Sequence, residues 1–370
     1  MDRNNIGLMR LSLATMVIVG HASELTDGDR SREPLTQVLP FTSLGETAVS
    51  GFFLLSGYLI TKSMLRQGDV AIYLVHRLLR IVPGFAVAYL VSFYLFGLGL
   101  GVNIWPYQTD ALVNMAALRE TPLMPLMPAK LAIPYPTLNG ALWTISYEFR
   151  CYLLVAVLWM AGVLGQRRAM LIIAAVLVLS TTLTGSWTTA HALEYPGRNR
   201  VVDLLVGRIT MDIRFMATFM VGACCYLWRD EVDRWLTGRL ALASLCLAII
   251  AFQFQHSAPV AGAALLALPV FWLAFKVRLG PLRRINERFD ISYGTYLYGF
   301  PFAIALILLL PHATPFILRV AGVPLAWIAG TLSWFGVERP MQLLAKRITR
   351  KRLDGEARFR HPAADARHAS

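Results

Sequence analysis

The chain has 370 residues, of which 56% are hydrophobic and only 15% are charged, and its mean hydropathy is +0.54. This composition excludes an ordinary soluble domain. The net charge of +13 does not call for a nucleic-acid partner, because positively charged loops and anionic membrane lipid account for a basic excess in a membrane protein.

Ten apolar segments have about the length of 20 residues that a helix needs to cross a bilayer core. In chain order they are 7–24, 45–64, 81–101, 141–163, 169–185, 212–228, 239–254, 258–275, 291–310 and 316–337. The period-two alternation of barrel strands is missing. The sequence therefore predicts an all-α polytopic integral membrane protein with about ten transmembrane helices.

Basic residues orient these helices, because short loops rich in Lys and Arg stay in the cytoplasm. With the N-terminus inside, 24 basic residues lie on the inner side and seven on the outer side. Both termini are thus predicted to be cytoplasmic. We expect a membrane-embedded domain over residues 1–340 and a basic cytoplasmic tail of low order over 341–370.

The stretch YLVHRLLRIVPG, residues 73–84, places two arginines beside the third apolar segment. Arg77 and Arg80 are three residues apart, so both guanidiniums lie on one helix face. One interpretation is that they only anchor the helix on the cytoplasmic side. The other is that they form a fork for phosphate oxygens.

Ionisable residues inside apolar segments are costly and indicate functional sites. Arg10 and His21 lie in the first segment, eleven residues apart, on one helix face and roughly 16 Å apart along the axis. A neutral imidazole suits a general base that takes a proton from a hydroxyl. A histidine at the membrane interface is the simpler alternative.

Other polar positions leave function and packing open. Glu148 lies inside the fourth segment, where packing does not explain a carboxylate. Ser56, Gly57 and Tyr58 lie in the second segment, where small residues favour close helix packing. Glu338 precedes Pro340 at the end of the last segment and is compatible with an ordinary helix end. No metal-binding spacing or nucleotide-binding loop is found, and the four cysteines lie within apolar segments, as packing residues do.

Several of these pieces together resemble one family. They are Arg10 and His21, FFLLSGYLI at 52–60, RLLRIVP at 77–83, LWTISYEFRCYLL at 142–154, SYGTYLYGFP at 292–301 and VERP at 337–340. In this order the chain resembles the acyltransferase-3 family of integral-membrane O-acyltransferases over about 340 residues.

The resemblance implies a multi-pass protein of the bacterial cytoplasmic (inner) membrane that moves an acyl group, usually acetyl, from acyl-CoA to a carbohydrate hydroxyl of a surface or exported glycan. It implies that His21 and Arg10 match residues that are important for activity. It also implies that Arg77 and Arg80 bind the phosphates of CoA. Acyl-CoA is then a co-substrate, and no metal is expected. We expect His21 to act as the base, with Arg10 or Glu148 positioning His21 or the developing charge. If the reaction passes through a covalent acyl-enzyme, Ser56 and Tyr58 are the candidate residues to carry the acyl group.

Two positions depart from the family pattern. Gly299 stands where members usually carry a histidine, and Arg150 adds a charge to the fourth-segment motif. Two other functions remain open at this point. A transporter of a glycan or lipid-linked intermediate would use the same buried charges without acyl-CoA. A non-catalytic membrane subunit would explain the missing histidine.

Overall fold

The computed structural model describes residues 4–122, 137–183, 209–310 and 312–360. Its described residues form helices and connecting loops, with no strand among them. The helices are α1 Ile6–Asp27, α2 Leu44–Gln67, α3 Val70–Leu90, α4 Gln108–Ala116, α5 Trp143–Met160, α6 Arg167–Leu183, α7 Ile209–Leu227, α8 Arg229–Trp235, α9 Gly238–Ala251, α10 Ala267–Phe275, α11 Ser292–Leu309, α12 Pro315–Ser333 and α13 Arg339–Arg360. Three π-helical turns, Val91–Phe96, Ala261–Leu265 and Trp334–Glu338, extend α3, precede α10 and join α12 to α13.

The predicted all-α polytopic fold is confirmed. Within the described ranges, eight helices are long and apolar enough to span a membrane. A ninth span results if α8 and α9, which meet at a bend of 93°, are taken as one. The number is below the ten predicted because α9 has only 14 residues and α6 has 17 up to the last residue described before the gap.

Local side chains fix where the first helices begin and end. Ser43 and Asp69 accept hydrogen bonds from the third backbone N–H that follows each of them, which caps the starts of α2 and α3. Gly28 and Gly68 adopt left-handed φ values of 74° and 65° and end α1 and α2. These caps make the α2–α3 connection very short.

Prolines inside the bundle free carbonyl groups that other helices then satisfy. Pro269 has no N–H for the carbonyl of Leu265, four residues earlier. The hydroxyl of Ser244 on α9 donates to that carbonyl at 2.7 Å. This hydrogen bond links α9 to the turn before α10. Without it, the freed carbonyl would be unpaired in an apolar environment.

Close packing of α2 against α7 forms the centre of the bundle. Gly57 of α2 faces the carbonyl of Phe219, and Gly222 of α7 faces the carbonyl of Leu54, so closely that a Cβ on either glycine would overlap the opposite backbone. Small residues allow this approach between helices in lipid. The packing interpretation of Gly57 is therefore supported.

One end of the bundle gathers several of the basic segments, and we call it the basic end. The amide of Asn5 donates to carbonyl groups at the end of α10, at 2.7 and 2.8 Å. Lys276 pairs with Asp233 at 2.9 Å, and Arg352 pairs with Asp69 at 3.0 Å. The other end, which carries the Gly28–Ser43 loop, is called the opposite end.

The first part of the predicted tail packs against the bundle, so the expectation of low order is wrong for 341–352. Helix α13 continues to Arg360 and packs against α3. Its Thr349 hydroxyl lies 2.8 Å from Nε2 of His76, and Ala345 is buried. Residues 361–370 lie outside the described residues, as do Lys130, Arg198, Arg200 and Arg208 of the predicted outer loops.

Candidate active site

His21 lies near the C-terminal end of α1, with its imidazole beside the first turn of α2. A Cβ added to Gly45 would lie 3.3 Å from its Cε1 atom, and the ring meets Phe300 edge-on at a centroid distance of 6.2 Å. Nδ1 lies 2.8 Å from the carbonyl oxygen of Val17. A carbonyl only accepts, so Nδ1 carries the hydrogen, and in the neutral ring the lone pair is on Nε2. This is the tautomer that a base acting through Nε2 requires.

Four charged side chains from distant parts of the sequence form a cluster at the basic end. Asp290 accepts from Arg10 at 2.8 Å and from Arg80 at 2.6 Å through the same oxygen. Arg80 also pairs with Glu338 at 3.6 Å. Two guanidiniums thus face two carboxylates, and the cluster ties α1 and α3 to the loop before α11 and to the turn after α12.

Asp290 is held by more than its two arginines. Its other oxygen accepts from the side chains of Ser292 and Asn286. Burial alone would raise the pKa of Asp290, but the guanidiniums of Arg10 and Arg80 and these hydrogen bonds bring the pKa below its ordinary value. The carboxylate is therefore ionised at neutral pH and acts as the shared counter-ion of the cluster.

The two arginines of the RLLR stretch have different surroundings, which corrects the prediction of an open two-arginine fork. Arg80 is occupied by Asp290 and Glu338. Arg77 lies 5.9 Å from the ring centres of both Tyr73 and Tyr152, its buried Nε has no hydrogen-bond partner, and no ion pair involves it among the described residues. Arg77 is the cation of this pair that remains available to an anion.

Glu148 is bound by hydroxyl groups. Its Oε1 accepts from Ser56 at 3.0 Å and from Tyr152 at 2.6 Å. Glu148 and Ser56 are half-buried, and Tyr152 also carries the ring that lies beside Arg77. A carboxylate, two hydroxyls and a guanidinium therefore form one continuous polar group beside α3.

Arg10 and Glu148 do not hold His21, contrary to expectation. Gly45 of α2 lies against His21, whereas Gly51, further along α2, lies against Leu13, so the two helices run in opposite directions. Arg10 on α1 and Ser56 on α2 are each eleven residues from the level of His21, roughly 16 Å towards the basic end. Val17 on the histidine's own helix orients the ring instead.

The remaining predicted positions have structural surroundings. Tyr58 packs in an aromatic group with Tyr226, Phe271 and Phe275, at centroid distances of 5.1 to 5.4 Å. It lies in the core of the bundle, away from the polar group around Glu148. Glu338 is buried and accepts from Ser333 at 3.0 Å, in addition to its pair with Arg80.

The two departures from the family pattern also have local explanations. A Cβ on Gly299 would lie 2.5 Å from Cγ1 of Ile18, so the missing side chain makes room for α1 against α11. Arg150 forms two hydrogen bonds with Asp212 of α7, at 3.0 and 3.1 Å, and lies over the ring of Tyr147. The extra charge is therefore neutralised within the bundle.

Sequence reasoning missed Asp290 and Asn139. Asp290 directly precedes the SYGTYLYGFP stretch, and an acidic residue so close to an apolar segment was a usable signal. Asn139 precedes Gly140 at the start of the fourth segment and is fully buried. Its partners, on α3 and α11, could not be read from its neighbours in sequence.

Comparison with known proteins shows the family to which the chain belongs. A family model described as an acyltransferase domain, that of acyltransferase-3, matches residues 3–337. The chain belongs to the acyltransferase-3 family. It is a multi-pass membrane O-acyltransferase, as the sequence predicted.

Two relatives are similar along most of their length. A protein of Shigella phage Sf6 named O-acetyl transferase is 27% identical over 299 residues, which cover 79% of this chain and 82% of that protein. Nodulation protein 10 of Rhizobium leguminosarum bv. viciae is 28% identical over 374 aligned positions, covering 95% of this chain and 96% of the relative. No solved structure matches the chain with significant similarity.

Proposed function

We propose that this acyltransferase-3 member moves an acyl group, most simply acetyl, from cytoplasmic acyl-CoA to a hydroxyl of an envelope or exported glycan in the bacterial inner membrane. The observation that carries the proposal is the pairing of an available cation, Arg77, at the basic end with an imidazole of defined tautomer, His21, deeper in the same bundle. The net reaction joins the acyl carbon to the acceptor oxygen and releases CoA thiol.

The depth of His21 fits the length of the donor. The arm of CoA between its pyrophosphate and its sulfur has twelve bonds, which span about 14 Å at the extension of a peptide chain. The polar group of Arg77, Tyr152, Glu148 and Ser56 is roughly 16 Å from the level of His21, because Ser56 lies eleven residues along α2 from Gly45, which packs against His21. Phosphates held at the basic end therefore bring the thioester to the depth of the imidazole.

Arg77 is the proposed phosphate ligand, because among the described residues its charge is compensated by the faces of two tyrosine rings and by no carboxylate. Arg80 has a second proposed role. Its pairs with Asp290 and Glu338 hold α3 against α1 and α12, which fixes the helix from which Arg77 extends. Glu148 lies at this same depth, so we assign it to the donor side, where its hydroxyl partners Ser56 and Tyr152 line the polar group beside Arg77.

The chemistry follows from the tautomer of His21. Nε2 of His21 takes the proton of the acceptor hydroxyl while the oxygen of that hydroxyl attacks the thioester carbonyl. The carbon–sulfur bond then breaks, and the imidazolium returns the proton to the CoA thiolate. The hydrogen bond from Nδ1 to Val17 keeps the ring in one orientation and stabilises the imidazolium that forms between these steps.

Direct transfer is favoured over an acyl carrier at Ser56 or Tyr58. An acyl group on Ser56 would lie roughly 16 Å from the level of His21. Tyr58 is enclosed by aromatic side chains. Family membership and the printed name of the phage relative favour an enzyme over the transporter alternative and over a non-catalytic subunit.

The experiment combines cells and purified protein. Surface glycans of cells with and without the chain are compared by mass spectrometry, and radiolabelled acetyl-CoA is supplied to the protein in lipid nanodiscs with the acceptor so found. An acetyl ester that depends on the chain, and that a His21→Ala variant does not form, is the expected result. Identical glycans, together with no binding of acetyl-CoA to the purified protein, would overturn the proposal.

A further inference from the structure

Pro301 in the middle of α11 leaves a carbonyl without its helical partner. Proline has no N–H, so the carbonyl of Leu297, four residues earlier, loses its ordinary hydrogen bond. Leu297 is fully buried, which makes an unpaired carbonyl there costly. The side-chain amide of Asn139 donates to this oxygen at 2.9 Å.

Asn139 is itself held firmly. Its Nδ2 also donates to the hydroxyl of Ser92 at 3.0 Å, within the π-helical turn that follows α3. Its backbone N–H donates to the hydroxyl of Thr121 at 2.8 Å. The side chain is fully buried, so one amide group connects α3, α11 and the segment that leads into α5.

The residue after Asn139 brings this connection to the imidazole. A Cβ added to Gly140 would lie 3.0 Å from Cζ of Phe300, so the Phe300 ring occupies the space that the glycine leaves. The same ring meets His21 edge-on at 6.2 Å. Phe300 is therefore placed between Gly140 and His21, directly beside the proline whose freed carbonyl Asn139 satisfies.

We propose that Asn139 is a positioning residue for His21. By holding the Leu297 carbonyl it fixes the position of α11 at Pro301, and this contact together with Gly140 sets the edge of Phe300 against the imidazole. Nothing in this role involves the donor end, which lies roughly 16 Å away. The proposal rests on the proposed function only in its kinetic consequences, because the placement of the ring can be measured without any substrate.

The first test removes the amide. Asn139→Ala is compared with Asn114→Ala, a matched control whose amide donates to a loop carbonyl, that of Glu120. Turnover should fall about tenfold in Asn139→Ala, with the KM for acetyl-CoA within about twofold of the wild-type value, since a misplaced base impairs the chemical step and leaves donor binding intact. The control should change neither. A rise in KM with unchanged turnover would overturn the proposal.

A second variant separates positioning from stability. Pro301→Ala restores the backbone N–H that Leu297 lacks, so in the Asn139→Ala background it should restore the thermal midpoint. The amide link from Asn139 to Ser92 and to the Leu297 carbonyl stays absent, so turnover should stay low. If turnover recovers together with stability, Asn139 only satisfies a carbonyl and the proposal is wrong.

A third measurement does not depend on activity. Diethyl pyrocarbonate modifies free imidazole nitrogen, and mass spectrometry of the peptide that contains His21 gives the rate at this one site. The rate should change at least threefold in Asn139→Ala and in the milder Gly140→Ala, whose new Cβ displaces the Phe300 ring by a few tenths of an ångström. An unchanged rate in both folded variants would refute the positioning role. A changed rate in a protein that transfers no acyl group would instead refute the proposed function alone.

Discussion

Asp290→Asn tests whether the charged cluster at the basic end holds the bundle together. The substitution keeps the size of the side chain and removes the charge that Arg10 and Arg80 share at 2.8 and 2.6 Å. Removing one partner of a buried ion pair costs about 3–5 kcal/mol, because the other charge stays buried and unpaired. The Asp290 side chain is 22% exposed, so we expect the lower limit, about 3 kcal/mol.

The assay is thermal unfolding of purified protein in lipid nanodiscs. For a chain of this size, a loss of about 3 kcal/mol lowers the unfolding midpoint by about 4 °C. Asp233→Asn is the matched control, since Asp233 pairs with Lys276 at the same end but is 46% exposed. Such a surface pair contributes at most about 1 kcal/mol. Equal small shifts in the two variants would refute the role of the cluster.

The effect of Asp290→Asn on the unfolding midpoint has a defined dependence on pH. The pKa of Asp290 is below its ordinary value in the folded protein. Its contribution to stability is therefore complete above the ordinary value of about 4 and is lost only as the pH falls through the folded value. The difference in midpoint between the wild type and Asp290→Asn should persist from pH 8 to pH 5. A difference that disappears between those limits would mean that another group carries the effect.

Three further outcomes follow from the structure. Glu148→Gln should leave the protein in the membrane, since an amide oxygen still accepts from both hydroxyl donors, but should lower transfer at least tenfold; near-normal activity would mean that the charge is not used. Gly299→Ala should destabilise the protein by about 1–3 kcal/mol through overpacking against Ile18, and Ile18→Ala in the same chain should recover part of this in a melting assay. A cysteine at Gln37 should react with an impermeant reagent in intact cells, whereas one at Arg66 should react only after permeabilisation; labelling of Arg66→Cys in intact cells would contradict the cytoplasmic donor side.

The helices were largely predictable from the sequence, because each apolar run of bilayer length must satisfy its backbone internally. The short α9 shows the limit of this reasoning. Its segment is as apolar as its neighbours but ends after 14 residues and follows a bend of 93° from α8. The composition of the segment does not predict that bend. The basic tail was misjudged for a related reason, since polar composition does not show that Thr349 and Arg352 contact α3 and its N-cap.

The sequence proposes the candidate site as a set of residues but does not predict how they are arranged. His21, Arg77 and Glu148 stand out because each places a polar group in or beside an apolar segment. Their partners depend on tertiary contacts. Asp290 joins Arg10 across 280 residues and Arg80 across 210, and no periodicity within one helix predicts such pairs. The three-residue spacing of Arg77 and Arg80 places both on neighbouring turns of α3. It does not predict that Arg80 pairs with carboxylates while Arg77 lies against tyrosine rings.

The roles of His21 and Arg77 are the central claim, and calorimetric titration of acetyl-CoA into purified variants, with turnover measured on the same samples, tests it most directly. His21→Ala should bind acetyl-CoA like the wild type while turnover falls about 100-fold or more, as expected for a lost general base, and His21→Gln should not restore it. Arg77→Lys keeps the charge but loses the planar guanidinium, so it should weaken binding and leave turnover at saturation nearly unchanged. Loss of acetyl-CoA binding in His21→Ala, with normal binding in Arg77→Lys, would contradict both assignments.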